Sequence, residues 1–387
     1  MRLRVRAILA ISALFAASNG VAAVSAWLPT AHSITWDNTE LKIESFDCTS
    51  AGNDGIVVKG KVVVSVPTPA DDHPQIIRIS CPNLRFEPNS EIQTKEELRI
   101  KVTSLVSGPV VITNTRGTAG HNADATPALW AIRTAPDGPA GPRGGNGGSA
   151  GTDWGGPHGA DDGGSGNRGQ NGSTGPAGTL GASGFAGAQA AKLQLRAASF
   201  ADGATISMSA VGGPGGIGGK SGRGTNGGHG GDGGEGGNGG NGDFAHNGKT
   251  GGNGGDGGDG GDGGNGGQGG SGGPGGNGAD IIFYVAVGGQ LPTDLSFTPD
   301  GGEGGAGGKG GDFGIGGIHG NGGKAGCGGH GGEVIFYRTG GGGCGTNGTD
   351  GKDGHDGKQG PPGVYGPDGQ PGNIGRLDIG FVKPVDF

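Results

Sequence analysis

Glycine recurs at every third position over long stretches of this chain, and that period constrains the fold more than any other feature. From Gly212 to Gly278 glycine fills 21 of 23 such positions, and from Gly302 to Gly332 it fills all eleven. A flexible linker has no reason to keep a period. Three residues per turn at about 3.1 Å per residue is polyproline II geometry. The sequence therefore predicts extended segments that approach closely and form hydrogen bonds between their backbones.

Strand-like sequence frames the glycine runs and repeats along the chain. The stretch 98–112 aligns without a gap over 193–207, and a third copy follows at an offset of 89. Each copy predicts a strand, a tight turn, a second strand and then a glycine run. Residues 377–381 predict a return to the same sheet. The aligned positions place Leu98 over Leu193, Gly108 over Gly203, Leu193 over Ile282, Leu195 over Tyr284, Ile206 over Leu295 and Met208 over Phe297.

These patterns predict a mainly β fold combined with polyproline and polyglycine II structure. In this prediction, repeated short strand pairs cap a bundle of Gly-Gly-X left-handed extended helices, with essentially no α-helix in the mature chain. We divide the chain into a signal peptide at 1–26, a β-rich N-terminal domain at 27–136, glycine-rich repeats at 137–341, and a collagen-like Gly-X-Y stretch with a closing strand at 342–387.

The N-terminus reads as a secretory signal with a basic start, an apolar stretch and small residues before a cleavage site after Ala26. Its removal takes away three arginines and changes the net charge from −8 to −8 − 3 = −11. This acidic balance disfavours nucleic acid and anionic lipid as partners. We therefore expect a secreted or cell-surface protein that is not an integral membrane protein.

Four cysteines in an exported chain predict disulfides, and proximity in sequence pairs Cys48 with Cys81 and Cys327 with Cys344. The alternative for the second pair is a zinc site, because Cys327 and Cys344 flank His330 with short spacing and His319 lies nearby. An oxidising compartment favours the disulfides over a metal.

The Gly-Gly-X blocks resemble the polyglycine II bundles of some phage tail-tip adhesins and of an insect antifreeze protein, and the glycine-rich tracts of mycobacterial surface proteins. The stretch 342–375, with its Gly-X-Y triplets and Pro361-Pro362, resembles bacterial collagen-like proteins, and 137–144 is a shorter echo. Such a resemblance implies a backbone geometry and no particular activity.

No catalytic motif stands in a context that could hold it, so we expect no enzyme and no cofactor. The X positions form an outward row rich in carboxylates, of which Asp256, Asp259 and Asp262 are weak candidates for calcium. A solvated acidic face is the alternative interpretation. The break in the glycine period near 243–250 predicts a reversal whose tip could bind a partner; its residues are Asp243, Phe244, His246, Asn247 and Lys249.

The sequence thus predicts an exported, non-enzymatic structural or adhesive protein that presents loop tips on a glycine-rich scaffold to a cell-surface, matrix or glycan partner. A collagen-like trimeric stalk or matrix component is the alternative, and calcium-dependent surface binding and ice binding are minor ones. We expect a monomer, with a homotrimer as the second possibility.

Overall fold

The computed structural model describes residues 32–50, 52–67, 75–123, 134–153, 156–243, 246–332 and 345–383. The predicted signal peptide, Phe244 and Cys344 lie outside these ranges. Within them there are strands and no α-helix, and no helix is long and apolar enough to cross a membrane.

Sixteen strands account for the regular structure. They are β1 (Ser33–Asp37), β2 (Glu40–Lys42), β3 (Ser45–Asp47), β4 (Gly55–Lys59), β5 (Lys61–Ser65), β6 (Ile76–Phe86), β7 (Glu91–Thr94), β8 (Glu97–Ser107), β9 (Pro109–Asn114), β10 (Gly151–Asp153), β11 (Gly156–His158), β12 (Leu193–Phe200), β13 (Thr205–Ser209), β14 (Ile281–Ala286), β15 (Asp294–Thr298) and β16 (Leu377–Val382).

Two parallel sheets contain all of these strands except β10 and β11, which pair with each other. The eight-stranded sheet runs β1-β4-β6-β8-β12-β14-β16, with β3 also beside β6, and the six-stranded sheet runs β15-β13-β9-β7-β5-β2. Apart from β3 and β4, which both belong to the eight-stranded sheet, successive strands of the two sheets alternate along the chain.

The step from the first sheet to the second uses a backbone conformation that few residues tolerate. A residue with positive φ stands in all six of these turns, and at Gly108 a side chain would also overlap the carbonyl oxygen of Phe86. The six residues are Asn38, Gly60, Asn89, Gly108, Gly203 and Gly288. A shared turn geometry thus keeps the strands in register.

A hydrophobic core lies between the two sheets. Alternate side chains of each strand point inward, as in β12, where Leu193, Leu195 and Ala197 are fully buried. Phe283 lies at the C-terminal end of this core, with its ring 5.7 Å from that of Phe200 and 5.7 Å from that of Phe297. The disulfide between Cys48 and Cys81 closes the core near its N-terminal end.

The predicted fold class, strand pairs capping a polyglycine II bundle, is wrong. The two strands of each repeat do not pair with each other; they enter two different parallel sheets, where each pairs with the equivalent strand of the neighbouring repeat. These sheets enclose a hydrophobic core of their own, so the strands are the organising element of the molecule and not an accessory to glycine-rich helices.

The predicted repeat register is correct in the first strand of the first two copies, where Leu98 pairs with Leu193. It is off by one in their second strand, where Ile206 pairs with Val110 instead of Val111, and in the first strand of the third copy, where Leu193 pairs with Ile281 instead of Ile282. Ile206 pairs with Leu295 as predicted. Between the second and third copies the offset is 88 residues in the first strand and 89 in the second, because the turn between the two strands is one residue longer in the third copy. The shift buries Ile281 and Phe283.

Six glycine-rich segments connect the later strands, in chain order one (115–123 and 134–150), two (159–190), three (211–242), four (248–279), five (300–332) and six (345–375). Segments one, three and five lie parallel in one layer that continues the six-stranded sheet. Segments two, four and six form a second layer that continues the eight-stranded sheet. Backbone hydrogen bonds join neighbours within each layer and join the two layers to each other.

Candidate functional site

The inner segments, three and four, use two glycines in each triplet for two different neighbours. Gly230 N–H donates to Ile318 O within its layer, and Gly231 N–H donates to Gln170 O across the layers, both at 2.8 Å. A methyl group at Gly231 would overlap the carbonyl oxygen of Pro139. Only the third residue of each triplet can carry a side chain freely, so Gly-Gly-X follows from having neighbours on three sides.

Segment six has the Gly-X-Y pattern for the same reason. It lies at the edge of its layer, and one glycine N–H per triplet donates to segment five. The series begins with Gly345, which donates to Gly329 O, and ends with Gly375, which donates to Pro299 O next to the start of segment five. The two remaining positions of each triplet are mostly exposed. The collagen-like triplets therefore mark an edge segment of this fold.

The outward rows of side chains satisfy the backbone of the adjacent segment. In segment four, carboxylate and amide oxygens accept hydrogen bonds from backbone N–H groups of segment six that have no carbonyl partner. The bonds are Thr349 N–H to Asn253, Lys352 N–H to Asp256, His355 N–H to Asp259 and Lys358 N–H to Asp262, at 2.9, 2.8, 2.8 and 2.7 Å. These aspartates and asparagines thus act as fasteners between parallel segments.

The three weak calcium candidates, Asp256, Asp259 and Asp262, all belong to this set of fasteners. Within the described ranges no group of three or more His, Cys, Asp or Glu side chains is placed to hold a metal ion. Each candidate already directs one carboxylate oxygen at a backbone N–H, and that contact explains its position without a cation.

Asp259 contacts both His355 and Arg168. Hydrogen bonds from the His355 backbone and ring lower the pKa of the Asp259 carboxyl below its ordinary value, and the Arg168 guanidinium, 3.4 Å away, lowers it further. The His355 ring nitrogen lies 3.1 Å from the same carboxylate. A similar pair joins His319 to Asp356 at 2.6 Å and lowers the pKa of Asp356 through backbone and ring hydrogen bonds.

The predicted binding tip lies where segment three turns into segment four. Asp243 accepts hydrogen bonds from the His246 backbone N–H at 2.9 Å and pairs with the His246 ring at 2.7 Å, which closes the turn. Lys249 already belongs to segment four, since its backbone bonds to Gly240 and Gly329. Asn247 lies between them, and Phe244 is outside the described residues.

Connections between segments meet at this distal end, far from the sheets. A Cβ on Gly159, at the start of segment two, would lie 3.8 Å from the His246 ring. Gly332, the last residue of segment five, lies directly against the Asp243 backbone. The hairpin β10–β11 joins segments one and two at the same end. The tip is therefore part of a composite surface and does not project alone.

The two predicted disulfides have different outcomes. The Cys48–Cys81 disulfide is confirmed, and a disulfide is compatible with an extracytoplasmic location. Cys327 is exposed in the outward row of segment five, where its backbone N–H donates to Asn238. Because Cys344 lies outside the described residues, its pairing with Cys327 and the rival zinc site at His330 stay predictions.

One cavity of about 300 Å³ opens between segments one, two and three. Its polar side chains are three threonines and one arginine, Thr134, Thr179, Thr225 and Arg223. The Arg223 side chain is already bonded to the carbonyl oxygen of Phe313 at 3.2 Å. This lining offers hydroxyl and guanidinium donors, and no group that could act as a general base.

Comparisons with known proteins leave the family open. No family model and no curated protein matches the chain. Among solved structures, a nine polyproline type II helical bundle antifreeze protein from the springtail Granisotoma rainieri is 22% identical over 52% of this chain and 94% of that chain, with a TM-score of 0.08. A score this low carries no argument about fold or function.

The sequence did not reveal the fasteners. For neighbouring segments of one layer, an acceptor and the N–H it binds are 88 to 96 residues apart, as with Asn171 and Asp259 or Asp280 and Arg376. The available signal was the repeat itself, because that spacing equals the distance between equivalent segments in successive repeats.

Proposed function

We propose that this protein is an exported, non-enzymatic structural or adhesive protein that presents its distal end to a cell-surface, matrix or glycan partner. The observation that carries the proposal is the convergence of the segment connections around Asp243 and His246, at the end opposite the sheets. Binding residues commonly lie on loops that a rigid scaffold positions.

The scaffold that supports this end is dense in hydrogen bonds. From Gly252 to Gly276, every third backbone N–H of segment four donates to a carbonyl of segment three at 2.7–3.0 Å, and a second series donates to segment six. Fastener side chains add a further set on the outer face. Such a body holds its distal surface at a fixed distance from the sheets, as an adhesive or structural role requires.

The chemistry of the tip suits a polar partner. It offers the imidazole of His246, the amide of Asn247 and the ammonium group of Lys249 beside one another in sequence, on a chain of net negative charge. These groups donate hydrogen bonds to the hydroxyl and carboxylate oxygens of glycans. We therefore place a glycan-bearing surface first among the partners.

The experiment compares retention of the fluorescently labelled mature chain on intact cells of the source organism. Replacing both His246 and Lys249 with alanine should reduce retention about tenfold, because the loss of a few central contacts dominates binding. His355→Ala is the matched control, since it removes an exposed imidazole from segment six and leaves the residues of the tip unchanged. Equal retention of the double variant and the wild type would overturn the proposal.

A trimeric collagen-like stalk is not favoured by the contacts. Every third backbone N–H of segment six, the stretch that resembles collagen, donates to segment five of the same chain. In a collagen triple helix those glycines would instead face two other chains.

A further inference from the structure

The outer face of the eight-stranded sheet carries a cluster of basic side chains. In β6, β8 and β12 the residues that alternate with the buried ones point away from the core. Strand pairing places Arg78 opposite Arg99, and Lys101 opposite Arg196. These four residues are called the basic patch below.

The basic patch crosses three strands diagonally. Neighbouring strands lie about 4.8 Å apart, and successive outward residues of one parallel strand lie about 6.6 Å apart. The Cα atoms of Arg78 and Arg196, at the two ends of the patch, are therefore separated by about 12 Å. Such a spread suits a ligand with several anionic groups better than a single small anion.

The sheet keeps these positive charges together although they repel one another. Like charges directly opposite each other on neighbouring strands are destabilising. Glu97 balances one of the four, since its carboxylate lies 2.6 Å from the Arg99 guanidinium. The side chains of Arg78 and Lys101 have no hydrogen-bond or ion-pair partner among the described residues. The patch therefore has an excess of positive charge on an accessible face.

Arg196 is held in a fixed position within the patch. Oriented with its oxygen towards Arg196, the Gln194 amide accepts hydrogen bonds from Nε at 2.6 Å and from Nη2 at 3.1 Å. The guanidinium carbon lies 5.5 Å from the centre of the Tyr284 ring, whose hydroxyl donates to Asp378 at 2.6 Å. The guanidinium has five N–H donors, so three remain for the oxygens of an anionic group.

We propose that the basic patch binds an acidic polysaccharide, a chain of sugars that carries carboxylate or sulfate groups. Its positive charge complements such a chain, and Ser80 and Gln194, which lie opposite Lys101 and Arg99, offer a hydroxyl and an amide N–H to sugar hydroxyls. The Cys48–Cys81 disulfide is compatible with the extracytoplasmic setting in which such polymers occur.

The acidity of the chain as a whole does not oppose this contact. The net charge is −8, but at physiological salt the field of exposed charges is screened beyond about 8 Å. The groups within that distance of the ligand are those of the patch, so the local charge decides the interaction. The site lies on the sheets and is independent of the distal end proposed above.

Nucleic acid is the other common polyanion, and this face fits it less well. Proteins that bind single strands stack the bases on exposed aromatic rings. Tyr284 is the one aromatic side chain that points outward from β6, β8, β12, β14 and β16. Its ring contacts Arg196 and lies against Gly380, where an added Cβ would be 3.2 Å from Cε1. The ring is thus engaged within the protein and is not a free platform for bases.

The test is binding of the mature chain to two immobilised acidic polysaccharides, heparin with sulfate groups and polygalacturonate with carboxylates, followed by biolayer interferometry. Neutral dextran is the blank. We expect binding to at least one acidic polymer, weakened at least about tenfold between about 50 and 200 mM salt, because binding releases counterions. Binding to neither acidic polymer, or equal binding to dextran, would overturn the proposal.

A pair of double variants separates the patch from overall charge. Replacing Arg78 and Lys101 with glutamine should weaken binding at least about tenfold, because charge-assisted hydrogen bonds are lost. Replacing Lys352 and Lys358 with glutamine is the matched control, since it removes the same charge from exposed positions of segment six and should leave binding unchanged. Equal losses in the two variants would contradict a defined site.

Three further results bear on the assignment. The melting temperature of R78Q/K101Q should equal or exceed that of the wild type, because repulsion is relieved; a less stable variant would give these side chains a structural role instead. The variant H246A/K249A should retain full polysaccharide binding, and its loss would move the site to the distal end. Single-stranded DNA at equal charge should displace the bound protein less than the free polysaccharide does, and stronger displacement would favour nucleic acid.

Discussion

The sheet region and the glycine-rich region have the same two-layer plan but are stabilised by different forces. Between the sheets, side chains such as Phe283 and Leu195 fill the interlayer space, and backbone hydrogen bonds run only within each layer. Between the glycine-rich layers the backbones bond directly across the gap, and side chains are nearly absent; one that is present is Ser221, whose hydroxyl donates to Gly267 O. The distance between layers is thus set by side-chain volume in one region and by its absence in the other.

The difference teaches what glycine contributes here. In most folds glycine is costly because of its backbone entropy. In the glycine-rich region the missing Cβ lets each backbone approach several neighbours. Backbone hydrogen bonds, and not buried apolar side chains, are therefore the main contacts between the layers. We therefore expect the two regions to respond differently to the same change.

The largest expected effect comes from removing a phenylalanine side chain from each region. Phe283→Ala should lower the free energy of unfolding by about 3–5 kcal/mol, because it leaves a cavity in the closed core. Phe185→Ala, in segment two, should change it by less than about 0.5 kcal/mol, since that side chain is 62% exposed. Urea unfolding gives the free energy of unfolding of both variants. If both lose a similar amount of stability, side-chain burial does not distinguish the two regions.

The next test adds a methyl group to glycine inside and outside the layers. At Gly258 the new group would overlap the carbonyl oxygen of Gln170, so Gly258→Ala should cost about 1–3 kcal/mol, as overpacking does. At Gly145 nothing lies within 4 Å of the new group, and Gly145→Ala should stabilise by about 0.4–1 kcal/mol. Thermal unfolding gives both values, and two stabilised variants would refute close backbone contact at Gly258.

A smaller effect is expected from one fastener. Asp256→Ala removes the acceptor for the Lys352 N–H, 2.8 Å away, and should cost about 1 kcal/mol. Asp256→Asn keeps an acceptor oxygen and should cost less. If the alanine and asparagine variants lose the same amount of stability, the hydrogen bond from Lys352 is not what Asp256 contributes to the stability of the fold.

The smallest expected effect is a pH dependence to which two carboxyls of the glycine-rich region contribute. Hydrogen bonds from His355 and His319 lower the pKa values of Asp259 and Asp356 in the folded state from the ordinary 3.8. A carboxyl with a lowered folded pKa stabilises the fold above its unfolded pKa, and this contribution is lost as the pH falls through the folded pKa. Stability should therefore fall with acidification below about pH 4, and the double variant D259N/D356N should show a shallower fall.

Sequence patterns captured the local features of the fold and missed its long-range pairing. The alignment of Leu98 with Leu193 predicted a true strand register, and the period of three predicted close backbone contact at the glycines. The strand–turn–strand pattern did not reveal that the two strands belong to different sheets, because a turn such as that at Gly108 gives the same local sequence in either topology.

The candidate site was harder to predict than the fold. The break in period marks the chain reversal at Asp243 and His246, but the contacts of this turn with Gly159 and Gly332 depend on segments 87 and 89 residues away. The collagen-like triplets of segment six left a triple helix open as the alternative, because pattern alone does not show how many neighbours a segment has.

The central claim, that glycine backbones hold the layers together, is tested most directly by hydrogen exchange of the native protein. Amides such as those of Gly255 and Gly258, which donate across the layers, should be protected to a similar extent as those of β12 and β14. The outward N–H of Phe313, which has no partner among the described residues, should exchange much faster. If the Gly255 and Gly258 amides exchange as fast as in an unfolded chain, the glycine-rich region is not held by these hydrogen bonds.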